Sequence, residues 1–326
     1  AKAVFGGTSE IYANAEHLLL AISRYDEETL PIAPNQNGKN VQITNGSSST
    51  DLVLLGLKDG QIERLASGNV PGSLLNQFSM DEYQNVFRVV TTINSWQQRI
   101  YTDGVDTYEY DSTNTNALYT LDQNLSVLGK IENLAKDETV QSVRFDGDVG
   151  YFVTFRQVDP LFAVDLSDAK HPRILDALKI LGFSEYLHVF KDHLLFGLGY
   201  NADEDTGRTL GVKMSMFDTT TKTNVKELFS ESVDASWTIV GNNHKAILVD
   251  GEKNLIAFPA DSNYYIYRYD PQKGFELAAC VNMSTDLSSW NLRGLFIGDN
   301  FYVLGDSGVT VISLTDYTVL ATIKLG

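Results

Sequence analysis

The chain has 326 residues, of which 43% are hydrophobic and 11% aromatic, enough apolar side chain to exclude a disordered protein. Its formal net charge of −17 repels phosphate backbones and argues against nucleic acid as a partner. No run approaches the roughly 18 apolar residues of a transmembrane segment, so none is predicted. The single cysteine, Cys280, excludes an internal disulfide, and the apolar run around it predicts that it is buried.

Taken in chain order, the sequence alternates short apolar runs with turns made of Asp, Asn and Gly. Runs rich in Val, Ile, Leu, Tyr and Phe with such turns are typical of strands and hairpins. One strand–turn–strand motif recurs at 11–22, 78–93, 143–155, 186–199, 245–258 and 295–305. The sequence therefore predicts six hairpins, each opening one copy of a repeat.

A second motif follows each hairpin, namely a strand that ends near an acid, a turn and a further strand. The acids are Asp59, Asp122, Asp168, Asp218, Asp270 and Asp316, at spacings of 63, 46, 50, 52 and 46 residues. Six copies of a four-stranded antiparallel sheet have apolar faces that only neighbouring sheets can cover, which favours an all-β, six-bladed β-propeller over a two-sheet sandwich. We predict one domain over 1–326, with blades at 8–70, 73–134, 139–180, 184–232, 236–283 and 290–326.

The beginning of the chain suggests that the natural protein is longer. It starts as AKAVFGG, without Met, and residues 3–7 read as a strand before the first repeat. We therefore expect that the intact ring has six blades or, as the alternative, seven or more.

Several stretches resemble one known family: LASGNVPGSLLNQFSMDEY at 65–83, VQSVRFDGDVGYFVTFRQVDPLFAVDLSDAKHPRIL at 140–175 and GFSEYLH at 182–188. That family comprises secreted bacterial and archaeal proteins with a C-terminal β-propeller distantly related to WD40 repeats. The resemblance implies a propeller that is secreted or associated with the cell envelope. It implies no catalytic residue, and Asn243 departs from the family pattern, in which an acid more often precedes His-Lys.

Long connections between the second and third strands mark the candidate binding surface. They occur at 25–50, 94–115 and 200–209, and we expect them to lie on one face of the disc. Trp96, Tyr101, Tyr108 and Tyr110 cluster in the second connection, where aromatic rings suit stacking on sugars or packing against a protein. The alternative interpretation is tolerated insertion at the surface.

Other residues carry weaker predictions of binding. Arg156 and Asp159 lie in one short connection and form either a structural pair or a site for a carboxylate or sugar acid. His188 is expected to line the central channel. Asn201, Asp203 and Asp205 place oxygen ligands at alternate positions, as Ca²⁺ loops do, although a solvated acidic loop is the favoured interpretation.

The sequence thus favours a non-catalytic, monomeric interaction module outside the cell or at its surface, which binds a protein or a glycan. Ca²⁺ is the one candidate cofactor, and no catalytic residue is predicted, because neither a nucleophile elbow nor a zinc-spaced His pair occurs. The alternative is a carbohydrate- or lactone-active hydrolase or lyase, with a metal or carboxylates at the mouth of the channel.

Overall fold

Antiparallel strands account for nearly all of the regular structure in the computed structural model, which describes residues 10–101, 107–155, 159–203, 206–283 and 291–324. One short 3-10 helix, Gln77–Ser79, interrupts the strands of this part of the chain. Within the same ranges no helix is long and apolar enough to cross a membrane. The all-β class is confirmed, whereas the strand predicted at 3–7 lies outside the described residues.

The first two repeats form a single nine-stranded sheet. The sheet order is β1-β2-β4-β7-β8-β9, with β3 and β5 paired to β4 and β6 paired to β7. Its strands are β1 (Glu10–Ala13), β2 (His17–Thr29), β3 (Ala33–Pro34), β4 (Asn40–Lys58), β5 (Gln61–Pro71), β6 (Met80–Tyr83), β7 (Val86–Tyr101), β8 (Thr107–Leu121) and β9 (Val127–Leu134). The sequence predicted two separate sheets here, and the pairing of β4 with β7 joins them.

Four further sheets each contain four consecutive strands in meander order, as predicted. The third repeat comprises β10 (Thr139–Asp146), β11 (Val149–Phe155), β12 (Asp159–Asp165) and β13 (Arg173–Ile180). The fourth comprises β14 (Phe183–Lys191), β15 (Leu194–Ala202), β16 (Thr209–Asp218) and β17 (Lys226–Ser232). The fifth comprises β18 (Leu248–Asp250), β19 (Leu255–Ala260), β20 (Asn263–Asp270) and β21 (Gly274–Asn282). The sixth comprises β22 (Arg293–Ile297), β23 (Asn300–Gly305), β24 (Gly308–Ser313) and β25 (Val319–Lys324).

Two compact units make up the chain, one of Ala1–Arg156 with Val164–Ile174 and one of Gln157–Ala163 with Leu175–Gly326. Each contains a core between neighbouring repeats. In the first unit the core side chains come from the first and second repeats: Leu19, Ala21, Leu52, Leu54, Val70, Met80, Phe87, Val89, Ala117, Tyr119, Leu121 and Leu125. In the second unit the fifth and sixth repeats supply Leu255, Ala257, Tyr264, Ile266, Met283, Leu292, Phe301, Val303 and Ile312. Sheets with two apolar faces are therefore covered by their neighbours.

The six hairpins predicted from the sequence are confirmed by the registers of their strands. Their tight turns place a residue in the left-handed region, which Asn and Gly tolerate best. In five of the six turns this residue is Asn85, Gly147, His193, Asn254 or Gly298, with φ between 52° and 63°. Turn chemistry therefore sets where each repeat begins.

The acid at the end of the third strand organises the next turn in five of the repeats. Its carboxylate accepts a hydrogen bond from the backbone N–H two residues later. In the turn this N–H has no neighbouring strand to pair with, and the carboxylate takes the place of that acceptor. The distances run from 2.7 Å for Asp270 and Gln272 to 3.2 Å for Asp316 and Thr318. Asp122, Asp168 and Asp218 make the same bond. The periodic acids are therefore parts of turns.

Cys280 is exposed on β21, so the prediction that it is buried is wrong. The apolar run FELAACV is the outermost strand of its sheet, and Leu277 on the same strand is also largely exposed. An edge strand packs on its sheet without being enclosed by it. Apolar composition alone does not distinguish this strand from an inner one.

A pH prediction follows from the turn at Asp218. Hydrogen bonds from the Thr220 side chain and backbone hold the pKa of Asp218 below its ordinary 3.8. The carboxylate therefore stabilises the fold above the unfolded-state pKa, and this contribution is lost as the pH falls through the lower folded-state pKa. We expect the free energy of unfolding, measured by urea denaturation, to fall between pH 5 and pH 2, and to fall less in Asp218→Asn. Asn keeps an acceptor oxygen but does not titrate, so an unchanged pH slope in this variant would contradict the assignment.

Candidate functional site

Two long hairpins, which extend the first two repeats, pair with each other. Residues Val41–Ser47 of β4 run antiparallel to residues Ser95–Tyr101 of β7 in an unbroken register. With β2 on one side and β8 on the other, they form a four-stranded sheet, which we call the hairpin extension (residues 23–29, 40–47, 95–101 and 107–113). The connections at 25–50 and 94–115 that the sequence predicted as loops are therefore largely strands.

The hairpin extension is a single layer of sheet. Every residue of 23–29 in β2 and of 107–112 in β8 is exposed, whereas the other halves of both strands are buried or half-buried. Because successive side chains of a strand point to opposite faces, this pattern means that neither face of the two outer strands is covered in the described part of the chain. A sheet without a core of its own relies on the blades that its strands continue into.

Aromatic side chains gather on one face of the hairpin extension. The registers place Glu27, Gly46, Trp96 and Ser112 side by side in one row, and Tyr110 lies in the next row of the same face. The indole of Trp96 stacks against the ring of Tyr110, with centroids 5.8 Å apart and planes 26° apart. We call this surface, with Tyr25 and Tyr108, the aromatic face.

Glycine at position 46 is what lets the indole lie against the sheet. A Cβ placed on Gly46 would come within 2.3 Å of the Trp96 ring. The ring thus covers the exposed backbone of the facing strand, as aromatic residues do opposite strand glycines. The other aromatic side chains extend into solvent, with exposed fractions of 66% for Tyr25, 65% for Tyr108 and 61% for Tyr110.

The opposite face of the hairpin extension is polar. Arg99 donates to Asp111 at 2.7 Å and lies 3.6 Å from Glu109, while the Tyr101 hydroxyl donates to Glu109 at 2.9 Å. The hydrogen bond to the Glu109 carboxylate raises the pKa of Tyr101 above its ordinary value. A shallow groove of about 620 Å³ crosses this face beside Asn45 and Gln97. These paired charges join β7 to β8 on the face opposite the aromatic face.

The four aromatic residues predicted as one cluster therefore divide between two faces. Trp96, Tyr108 and Tyr110 share the aromatic face. Tyr101 lies on the polar face, because it is five residues from Trp96 on the same strand and the register places it opposite Thr107. The structure adds Tyr25, which the sequence analysis missed. Two facts place Tyr25 on the aromatic face: side chains alternate between faces along β2, and β2 pairs with β4 in a fixed register. The register is known only from the folded structure.

The comparisons with known proteins identify the domain. A family model described as "Beta propeller domain" matches residues 1–317. The chain belongs to this β-propeller family. Its four-stranded sheets are the blades of a propeller, which confirms the predicted fold class.

Two curated archaeal relatives also match, both uncharacterized proteins. One, from Archaeoglobus fulgidus, is 36% identical over 81% of this chain and 38% of its own length. The other, from Methanocaldococcus jannaschii, is 33% identical over 79% of this chain and 38% of its own length. The chain thus spans less than two-fifths of each relative.

Solved structures are more distant. Apo AztD from Citrobacter koseri has a TM-score of 0.42 and 11% identity, with 84% of this chain and 92% of that one covered. A functionally unknown protein from Desulfotomaculum acetoxidans has a TM-score of 0.38 and 10% identity, with 90% of this chain and 85% of that one covered.

Other predicted site residues of the propeller lie in different blades. His188 is on β14, where its Nδ1 is 2.9 Å from the Tyr186 hydroxyl and the two rings stack with centroids 6.0 Å apart. Arg156 lies outside the described residues, as does the side chain of Asp159, which begins β12. The predicted contact of these residues with a ligand stays a prediction.

The proposed calcium loop follows β15. The Asn201 amide donates to the Ser232 hydroxyl at 2.7 Å, and the Asp203 carboxylate accepts from the Thr206 backbone and hydroxyl at 2.9 and 2.7 Å. The two bonds of Asp203 close a turn, whereas that of Asn201 reaches the end of β17, and Asp205 lies outside the described residues. Across the described ranges, no three His, Cys, Asp or Glu side chains are grouped as metal ligands. Calcium binding here stays a prediction.

Substitution of Gly46 tests the packing of the aromatic face. Gly46→Ala places a methyl group in the position of the Trp96 indole, so we expect the ring to move off the sheet. The free energy of unfolding should fall by about 1–3 kcal/mol, the usual cost of overpacking, and the near-ultraviolet circular dichroism should change.

A double-mutant cycle provides the control. In a Trp96→Ala background the same Gly46→Ala change should cost little, because the clash is gone. Ser47→Ala, on the neighbouring residue and the opposite face, should leave the near-ultraviolet spectrum unchanged. An equal cost of Gly46→Ala in both backgrounds would show that Trp96 does not lie on Gly46.

Proposed function

We propose that the protein is a non-catalytic interaction module and that the aromatic face of the hairpin extension binds a partner protein. The observation that carries the proposal is a single-layer sheet whose two outer strands are exposed on both faces in the described part of the chain, with four aromatic side chains on one face. Large aromatic side chains that the described chain leaves exposed are typical of interaction surfaces, because their burial against another molecule is favourable. A bound partner would supply that burial.

The composition of the aromatic face supports a protein partner. Tyr and Trp are enriched where protein interfaces are energetically strongest, because they offer large rigid surfaces with a polar atom at the tip. Trp96 packs on Gly46, and Tyr110 stacks on Trp96. These two side chains would therefore lose little further conformational entropy when a partner binds. Small-molecule sites are usually concave. The shallow groove of the hairpin extension lies instead beside the polar pair Asn45 and Gln97.

A location outside the cytoplasm, which the family resemblance implies, is part of the proposal. The curated relatives are longer than this chain, which spans 38% of each, and the location is proposed from the family resemblance alone.

The double variant Trp96→Ala with Tyr110→Ala tests the proposal. Purified wild-type and variant proteins are compared by affinity capture from the native host, followed by binding measurements with each captured protein after its own purification. We expect the affinity for the partner to fall at least 30-fold, about 2 kcal/mol, the usual effect of losing a binding hot spot.

Trp237→Ala is the matched control, because Trp237 is an exposed tryptophan, at 38%, outside the hairpin extension. It should bind the partner as the wild type does. A glycan array measured on the same three proteins distinguishes the other ligand class. If the double variant loses binding to a glycan and to no protein, the aromatic face is a sugar-binding surface and the proposal of a protein partner is overturned.

A further inference from the structure

One edge of the hairpin extension has no strand beside it in the described chain. Strand β8 pairs with β7 along its whole length, but β9 pairs with β8 only between Asn116 and Leu121. No strand within the described ranges lies against the other edge of residues 107–113. An open edge of this length is a template for strand addition, since its backbone donors and acceptors face solvent.

The direction of the backbone groups along this edge follows from one hydrogen bond. The carbonyl of Asn114 accepts from the backbone N–H of Asp137 at 2.7 Å, so Asn114 directs its backbone groups away from β7. In an antiparallel pair this direction alternates from residue to residue. Ser112, Tyr110 and Tyr108 therefore each present one N–H and one C=O at the open edge.

The side chains of the same segment define which strand would fit. Tyr108 and Tyr110 point to the aromatic face, while Glu109 and Asp111, which alternate with them, point to the polar face with exposed fractions of 57% and 70%. Arg99 is the one described cation in contact with these two carboxylates. A strand added at this edge would thus have aromatic rings beside one face and excess negative charge beside the other.

Charge selects among possible occupants of the edge. A second copy of the chain, paired through the same segment, would bring Glu109 and Asp111 next to their own equivalents, which is unfavourable across neighbouring strands. A strand with Lys or Arg at alternate positions would place cations there, and the net charge of −17 would favour its approach.

We propose that the open edge of β8 binds an extended segment of the partner protein as an additional strand, in which Lys or Arg alternates with apolar residues. Its backbone pairs with Tyr108, Tyr110 and Ser112, its apolar side chains pack beside Tyr108 and Tyr110, and its cations lie near Glu109 and Asp111. This inference rests on the proposed function, because it specifies the chemistry of the partner at the same surface.

Ser112 offers a matched pair of variants. Ser112→Pro removes an outward N–H and puts a ring at the edge, without removing an aromatic side chain, and proline is tolerated on edge strands at such positions. Ser112→Ala keeps the N–H. The probe is a fluorescein-labelled peptide that alternates Lys with Val and Phe, with an acidic counterpart that carries Glu in place of Lys. Affinities are measured by fluorescence anisotropy at physiological ionic strength.

We expect the basic peptide to bind Ser112→Pro at least about tenfold more weakly than Ser112→Ala, a change of about 1.4 kcal/mol. The acidic peptide should bind neither. Equal affinities of the basic peptide for the two variants would overturn the inference, since charge attraction alone does not depend on the edge N–H. Circular dichroism establishes that both variants fold.

Glu109→Lys keeps the inference falsifiable if Ser112→Pro does not fold. It leaves the backbone edge intact and should lower the preference for the basic over the acidic peptide by about tenfold, an outcome that an uncharged mode of binding would not produce. The aromatic double variant separates this inference from the proposed function. If it loses the partner while Ser112→Pro retains both partner and peptide, the aromatic face binds and the edge does not.

Discussion

The backbone pairing of β4 with β7 is the interaction on which the binding surface depends. Two hairpins that extend from neighbouring blades would each be a two-stranded ribbon, which is marginal in water. Their pairing over Val41–Ser47 and Ser95–Tyr101 turns them into four strands with one shared register. Because the register fixes which residues are opposite one another, it brings Gly46 under Trp96 and separates the aromatic from the charged side chains.

The blades provide the apolar core that the hairpin extension lacks. Strands β2, β4, β7 and β8 begin or end in the apolar core between the first two repeats, where Leu52 and Phe87 are fully buried. The same strands then leave the core and continue as a sheet whose outer strands are exposed on both faces. A rigid core thus holds a binding element that is not itself stabilised by burial, an arrangement typical of recognition surfaces on scaffolds.

Local chemistry explains which predictions were confirmed. Asn85, Gly147 and Gly298 marked hairpin turns, because a positive φ restricts the residue type at a turn wherever it occurs. Asp218 marked the end of a third strand, since its carboxylate bonds to the backbone two residues later. Predictions that required knowledge of neighbours were less successful. Cys280 is exposed because its strand is at an edge, and Tyr101 is separated from Trp96 by the parity of its position.

The sequence by itself determined the class of fold, the four-stranded repeat, its hairpins and the acids that close its turns. Each of these depends on residues close together along the chain, so a single strand or turn already contains the signal. Tertiary structure alone decided that the two long connections are strands, that they pair, and that Tyr25 joins Trp96 and Tyr110 on one face. The pairing of Gly46 with Trp96 spans 50 positions, and no local preference of either residue specifies a contact at that separation.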